Sequence, residues 1–321
     1  MYQMAKAAQR HSDKVNDEID GNAPAYSVIK ASWRRSMLYY GLTPNQQNTA
    51  RQLSTPELRD AKQALELLLH VAKPIMEQLF GSVGRSGCCV VLTDMNGVVL
   101  HRLINAADDV SFDEWGLRLG AVWSEARQGT NGIGTCAVEE RPVLIHKDQH
   151  FRYKNIGMTC MGAPIFDIHG EIMAVLDVSS ARNDLGRDLA QVIASYVTDI
   201  ASRIETEYFK ASFAGAQIVV ADGYCSSGTP LLASDRDDLV IGANRAARRM
   251  LSLQNETFAT PIPHSNLQSS RHEVTGLLAA ERAEVRKAIA RTKGNMSAAA
   301  KDLDVSRATL YRLLKKHGLG A

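Results

Sequence analysis

Apolar residues recur at spacings of three and four in several stretches of the chain and alternate or run together between them. Residues 27–40 carry Val28, Ile29, Trp33, Met37 and Leu38 on roughly one stripe, the mark of a helix. Thr55-Pro56-Glu57 reads as a helix start, with a hydroxyl cap, a proline in the first turn and an acid at the positive end of the dipole. The helix it opens carries Leu58, Leu65, Leu68, Leu69, Ala72, Ile75, Met76 and Leu79, and Pro74 is expected to kink or interrupt it. A long stripe follows over 184–209, with Leu185, Leu189, Val192, Ile193, Tyr196, Ile200 and Ile204. That stripe fits either packing on its own sheet or pairing with a second copy. Residues 1–22 are polar and predict a loose segment.

Between the helical stretches the period changes to that of strands. Cys88-Cys89-Val90-Val91-Leu92-Thr93 and Val98-Val99-Leu100-His101-Arg102-Leu103 flank Asp94-Met95-Asn96-Gly97, a strong hairpin signal. Residues 164–168 and 171–178 form a second strand pair around His169-Gly170, and Val143-Leu144-Ile145 is a short strand. Antiparallel strands flanked by helices predict an α+β domain. Short strands at 218–221 and 239–241 and a helix from Ala243 suggest a further small region. Residues 252–275 are polar, contain Pro261 and Pro263, and read as a linker. Helical patterning returns over 277–319.

Composition narrows the class. The 321 residues are 45% hydrophobic and 22% charged, the balance of a folded globular chain. No apolar run approaches the ~20 residues of a spanning helix, and the N-terminus lacks a signal-peptide core. Five cysteines are too few and too scattered for a secreted disulfide framework, so a cytoplasmic protein is expected. The formal charge of +2 hides an asymmetry: residues 281–321 hold ten Lys/Arg against four Asp/Glu. A basic module on a mildly acidic body fits a nucleic-acid partner or, more plainly, a solvated helical face.

Residues 294–319 weigh between those two. Gly294 can end one helix, Asn295 or Ser297 can cap the next, and Ser306 can cap a third. Ala299 and Ala300 allow close helix crossing, and Leu303, Val305, Leu310, Leu313 and Leu314 supply a shared core. The last helix then presents Arg307, Thr309, Tyr311, Arg312, Lys315 and Lys316. That is a helix-turn-helix with groove-reading chemistry: arginine pairs with guanine, threonine meets a thymine methyl or a phosphate, and lysine binds phosphates. The stretch resembles the C-terminal domain of the nucleoid protein Fis and of NtrC-type activators. The match runs through Gly294-Asn295, Ala299-Ala300, Leu303, Ser306-Arg307, Thr309-Leu310 and Lys315-Lys316. It implies base and phosphate contacts at Asn295, Ser297, Ser306, Arg307, Thr309 and Arg312. Asp304 departs from the family's turn glycine, at a modest cost because aspartate tolerates the left-handed region.

A second motif is Glu125-Ala126-Arg127-Gln128-Gly129-Thr130-Asn131-Gly132-Ile133-Gly134-Thr135, followed by His150-Phe151 and by Thr159-Cys160 before Pro164-Ile165. Its glycines fit neither a dinucleotide loop nor a P-loop. The set resembles the GAF domain of acetoin-regulator activators. Ser32-Trp33-Arg34-Arg35 with Gly41-Leu42-Thr43-Pro44 matches that family's N-terminal segment, and residues 231–247 resemble its PAS-like segment. Those activators carry a central ATPase, which needs a Gly-Lys-Ser/Thr phosphate loop; this chain has no Gly-Lys dipeptide, so no ATPase is expected.

The expected organisation is an N-terminal helical segment at 1–54, a GAF domain at 55–209, a PAS-like segment at 210–252, a linker at 253–276 and a Fis-type helix-turn-helix at 277–321. The expected function is a DNA-binding regulator, not an enzyme, answering to a small organic effector and acting as a homodimer on operator DNA. No membrane, cofactor or metal is expected. Trp115, Trp123, Cys136, Phe151 and Met161 are the candidates to line the effector pocket, each with ordinary core as its plain reading. Cys88, Cys136 and Cys160 leave a cysteine-based redox enzyme or sensor open, and the tail leaves an architectural DNA-bending protein open.

Overall fold

The computed structural model describes residues 2–20, 27–46, 50–221, 228–236, 239–253, 258, 262–263, 276–292 and 294–319. They divide into two compact units, Met1–Pro261 and Ile262–Ala321.

The first unit is built on a five-stranded antiparallel sheet in the order β2-β1-β5-β4-β3. Its strands are β1 (Cys88–Asp94), β2 (Val99–Leu103), β3 (Val143–His146), β4 (Thr159–Phe166) and β5 (Ile172–Ser180). The Asn96-Gly97 turn closes the β1–β2 hairpin, with Gly97 at φ +76° and the Asp94 carboxylate accepting from the Asn96 and Val98 amides. Strand alternation sorts the side chains onto two faces. Cys88, Val90, Leu92, Met161, Ala163, Ile165, Ala174, Leu176 and Val178 pack under two helices, α4 (Glu66–Val83) and α8 (Arg187–Ser212). Cys89, Val91 and Cys160 face the other way, toward Trp123, Leu117, Phe112 and Ile133.

Three expectations change. Residues 2–20 form a helix, α1 (Tyr2–Asp20), rather than a loose segment. His11, Val15 and Ile19, one turn apart, are buried along it, and Val15 and Ile19 pack with Trp33 and Phe151. A sparse apolar stripe suffices when a partner surface is waiting for it. α2 (Val28–Arg34) follows α1. The stretch expected to form one helix breaks at Leu65, between α3 (Thr55–Ala64) and α4, and Pro74 lies inside α4 without interrupting it. Finally, α3 is capped by Ser54, one residue ahead of Thr55, in a reciprocal box with Glu57.

Three short helices cross the far face: α5 (Asp109–Glu114), α6 (Glu125–Gln128) and α7 (Gly132–Glu139). The stripe of α8 is split. Ile193, Val197, Ile200 and Ile204 are buried on the sheet, whereas Leu189, Val192 and Tyr196 stand exposed. Beyond α8, β6 (Gln217–Val220), β7 (Leu231–Ser234) and β8 (Leu239–Ala243) pair antiparallel in sequence order and lead into α9 (Arg245–Met250). The expected linker falls largely outside the described residues.

Among the described residues the second unit holds three helices, α10 (Leu277–Arg291), α11 (Met296–Asp302) and α12 (Arg307–Lys316). Val285, Ala288, Ala299, Ala300, Leu310 and Leu314 make its core. Asp304 takes the left-handed turn conformation, φ +51°, as the turn requires.

Candidate functional site

The glycine-rich run from Glu125 is a clamp. Glu125 is 1% exposed and accepts from the Ser32 hydroxyl at 2.6 Å and from Arg35 Nε at 2.8 Å. Ser32 also bonds the hydroxyl of Thr130 at 2.7 Å, and Arg35 pairs with Glu139 at 2.7 Å. Trp33 Nε1 donates to the Gln149 carbonyl at 2.9 Å. The two motifs read apart in the sequence are therefore the two halves of one buried joint. Asn131 caps α7 through the Ile133 and Gly134 amides. Gly134 must be glycine, because a Cβ there would overlap the backbone at Ser124 and Glu125.

Behind this joint lies a narrow, tightly packed cleft with no room for a water molecule, lined by Leu117, Trp123, Ile133, Met158, Cys160 and Asp177 among others. Neither lysine nor arginine lines it. At its floor Asp177 is fully buried, and Oδ2 accepts from the Ser179 hydroxyl at 2.6 Å while Oδ1 has no partner. Ser179 Oγ lies 3.1 Å from Cys160 Sγ, and His150 Nε2 lies 3.3 Å from the same sulfur. Gly162 stands opposite Asp177 on β4, and Cys160 of the same strand lines the cleft beside the carboxyl. Burial pushes the Asp177 carboxyl up to about 7, against the opposing pull of Ser179. Burial likewise pulls His150 down to about 4, against the Lys147 carbonyl, which keeps the imidazole neutral at physiological pH.

The five residues expected to line an effector pocket do not meet. Trp123 lines the cleft and Trp115 packs beside it, stacked edge-on against Phe112. Met161 is on the opposite face of the sheet, under α4 and α8, because it neighbours Cys160 on a strand. Phe151 packs with α1 and Trp33, and Cys136 with Val143, Ile145 and Val175. Asp177 escaped the sequence reading. The available signal was one acid within the apolar run Val175-Leu176-Asp177-Val178.

In the second unit the candidate residues fall into two groups. Asn295 caps α11 through the Ser297 and Ala298 amides, and Ser306 caps α12 through the Thr309 amide at 3.1 Å. Their oxygens thus fix the turn, and Ser297 lies exposed beside it. Arg307, Tyr311 and Lys315 recur every four residues along the exposed side of α12, with the Arg307 guanidinium 5.8 Å from the Tyr311 ring centre. Arg312, also exposed, donates to Thr309 Oγ1 at 3.2 Å. Lys316 is engaged elsewhere, 2.6 Å from Glu281 of α10, which His317 also meets at 2.8 Å.

Comparison with known proteins accounts for both units. Residues 68–204 match the GAF domain model, and residues 278–317 match the model for bacterial regulatory proteins of the Fis family. The chain carries a GAF domain followed by a Fis-family helix-turn-helix. It is 33% identical over 229 residues to the acetoin catabolism regulatory protein of Cupriavidus necator, covering 70% of this chain and 34% of that protein. It is 29% identical over 170 residues to the acetoin dehydrogenase operon transcriptional activator AcoR of Bacillus subtilis, covering 51% of this chain and 27% of that protein. The chain thus spans about a third or less of these relatives. Among solved structures, the E. coli DhaR(N)–DhaL complex aligns with a TM-score of 0.48 at 16% identity, over 70% of this chain and 76% of that one. The two matched domains are separated by residues 205–277, with no Gly-Lys phosphate loop anywhere in the sequence.

Within the GAF domain Cys88, Cys89, Cys136 and Cys160 are free and buried. Burial raises all four thiols, Cys89 to about 12, so none of them supplies thiolate at neutral pH. Among the described residues no group of three or more His, Cys, Asp or Glu is placed to hold a metal ion. No helix among them is long and apolar enough to cross a membrane.

Proposed function

We propose that this chain is a DNA-binding transcriptional regulator whose GAF domain answers to a small-molecule effector. The observation that carries the reading is the exposed basic line of α12 on a fully capped turn, in a chain that also holds a GAF domain. Arg307, Thr309, Tyr311, Arg312 and Lys315 are assigned to the DNA. Asn295, Ser297 and Ser306 hold the turn and offer backbone or hydroxyl contacts to phosphates. Lys316 joins them when its pairing with Glu281 yields to a phosphate.

The effector site is assigned to the Asp177 cleft. The cleft is packed shut, so binding there requires its walls to part; the apolar side chains of Trp123, Leu117, Ile133 and Met158 around one unshared carboxyl oxygen then suit a small uncharged molecule with a hydroxyl or carbonyl group. A neutral carboxyl donates to a carbonyl, and an ionised one accepts from a hydroxyl. The names of the relatives point to the same chemistry, since acetoin carries both groups on four carbons. The buried, protonated thiols favour a binding domain over a cysteine-based enzyme. Exposed Leu189, Val192 and Tyr196 on α8 support a homodimer, which would match two recognition helices to a two-fold operator. The protein is assigned to the cytoplasm, where its DNA lies.

Fluorescence anisotropy with operator DNA, with and without acetoin, tests the reading. We expect operator affinity to change with acetoin in the wild type and not in Asp177→Asn, which is close in shape. An Asp177→Asn variant that responds normally would move the effector elsewhere. Sedimentation of residues 1–210 tests the dimer: a strictly monomeric fragment removes α8 as the contact.

A further inference from the structure

The turn between β4 and β5 and the helix α9 flank a second, open recess of about 370 Å³, within the size range of small-ligand sites. Arg245, Arg248 and Arg249 line one side, and His169 and Glu171 of the turn line the other. The effector reading uses none of them.

Three arginines line the recess against one carboxylate, Glu171. Arg248 is 7% exposed; Nε donates to the Ala243 carbonyl at 2.8 Å and Nη2 to the Ile168 carbonyl at 3.3 Å. Its Nη1 is shielded from solvent and has no hydrogen-bond partner, which is rare for a buried guanidinium, while the guanidinium carbon lies 4.9 Å from the Phe258 ring centre. Arg245 lies flat on the Phe166 ring, 3.2 Å from its centre, and its nearest carboxylate, Glu140, is 3.9 Å away. Arg249 is exposed and makes no ion pair among the described residues. Arg245 and Arg249 sit one helical turn apart, so like charges face each other. Burial, then Arg249, hold the Arg245 guanidinium below its usual range against the opposing pull of Glu205, Glu140 and Glu171. The surrounding acids do not close the account: Asp167 accepts from the turn amides of His169 and Glu171, and Glu205 accepts from the Phe166 amide. Glu171 is the one carboxylate in the lining.

We propose that this recess binds a small oxyanion with several acceptor oxygens, a phosphate or a dicarboxylate, gripped by Arg245 and Arg249 above the buried Arg248. Forked guanidinium donors match planar carboxylates and phosphate edges in pairs. Such an anion would relieve the repulsion along α9 and offer an acceptor toward the unused Nη1.

Isothermal titration of the full chain at constant ionic strength, with inorganic phosphate and separately with succinate, tests this. We expect saturable binding of at least one probe in the millimolar range or below. Phosphate alone would identify a phosphoryl ligand, and succinate alone a dicarboxylate. In the Arg245→Gln/Arg249→Gln variant binding should weaken at least about tenfold. Arg249→Gln alone, at an exposed position, should weaken it several-fold with the urea midpoint unchanged. Absence of saturable binding with both probes overturns the proposal, and so does unaltered binding in both variants. Neither outcome bears on the Asp177 cleft, whose test uses an uncharged molecule.

Discussion

The GAF domain and the helix-turn-helix use polar residues in opposite ways. In the GAF domain Glu125, Asp177 and His150 are all but sealed from solvent, and each either joins distant segments or waits at the floor of a cleft. In the helix-turn-helix the buried set is apolar, and Arg307, Arg312 and Lys315 stand in solvent. Buried polar groups are costly unless satisfied, so they are found where they fix a unique arrangement or meet a ligand. Exposed charge on a small helical core contributes little to the fold and remains available to a partner. Titratable side chains therefore fix the fold in one unit and stay exposed to a partner in the other.

The sharpest break of this contrast is Glu125→Ala. It removes the carboxylate that Arg35 and Ser32 share, leaving them only Glu139 and the threonine hydroxyls, and should cost about 3 kcal/mol of GAF stability by urea denaturation, while Arg312→Ala should stay within about 0.5 kcal/mol. Comparable losses in both variants would erase the distinction. Next, Arg307→Ala should cost about 1–3 kcal/mol on the best operator and relax base preference at one position. Lys315→Ala should weaken all DNA alike and lower the salt slope by about 1. If both bind as wild type does, α12 is not in the groove.

A smaller effect separates the buried acid from the buried base. Asp177 titrates near 7 in the folded chain and near ~4 unfolded. Its contribution to stability is complete below the unfolded value and is lost as pH rises toward 7. His150, lowered to about 4, works the other way, losing its contribution as pH falls below the unfolded value of ~6.5. Stability curves of wild type and Asp177→Asn should therefore diverge steadily between pH ~4 and ~7, with the wild type falling relative to the variant. Parallel curves would mean that the carboxyl is ionised and solvated. The smallest signal comes from the thiols. In a Cys225→Ser variant the four buried cysteines should resist a thiol-reactive dye until urea is added. Rapid native labelling would revive a redox role.

Much of this was legible along the chain. The hairpin at Asn96-Gly97, the strand at 143–146 and the tail's capped turns carry local signals, and they appear where those signals lie. The cap residues Asn295 and Ser306 were readable because capping acts over three residues. Residues 2–20 were not, because three buried positions in a polar helix carry meaning only beside Trp33 and Phe151. Met161 and Cys160 exchanged roles because a one-residue difference on a strand selects the opposite face.

Sequence alone determined the order of elements, the two kinds of domain and the basic face of the last helix, since periodicity, caps and charge are properties of neighbours in the chain. Only the tertiary structure decided that Glu125 belongs to Ser32 and Arg35, some ninety residues away, and that Asp177 keeps an unshared oxygen under Trp123. Which buried polar groups find partners depends on what the folded chain brings within about 3 Å, and residue order does not encode that distance.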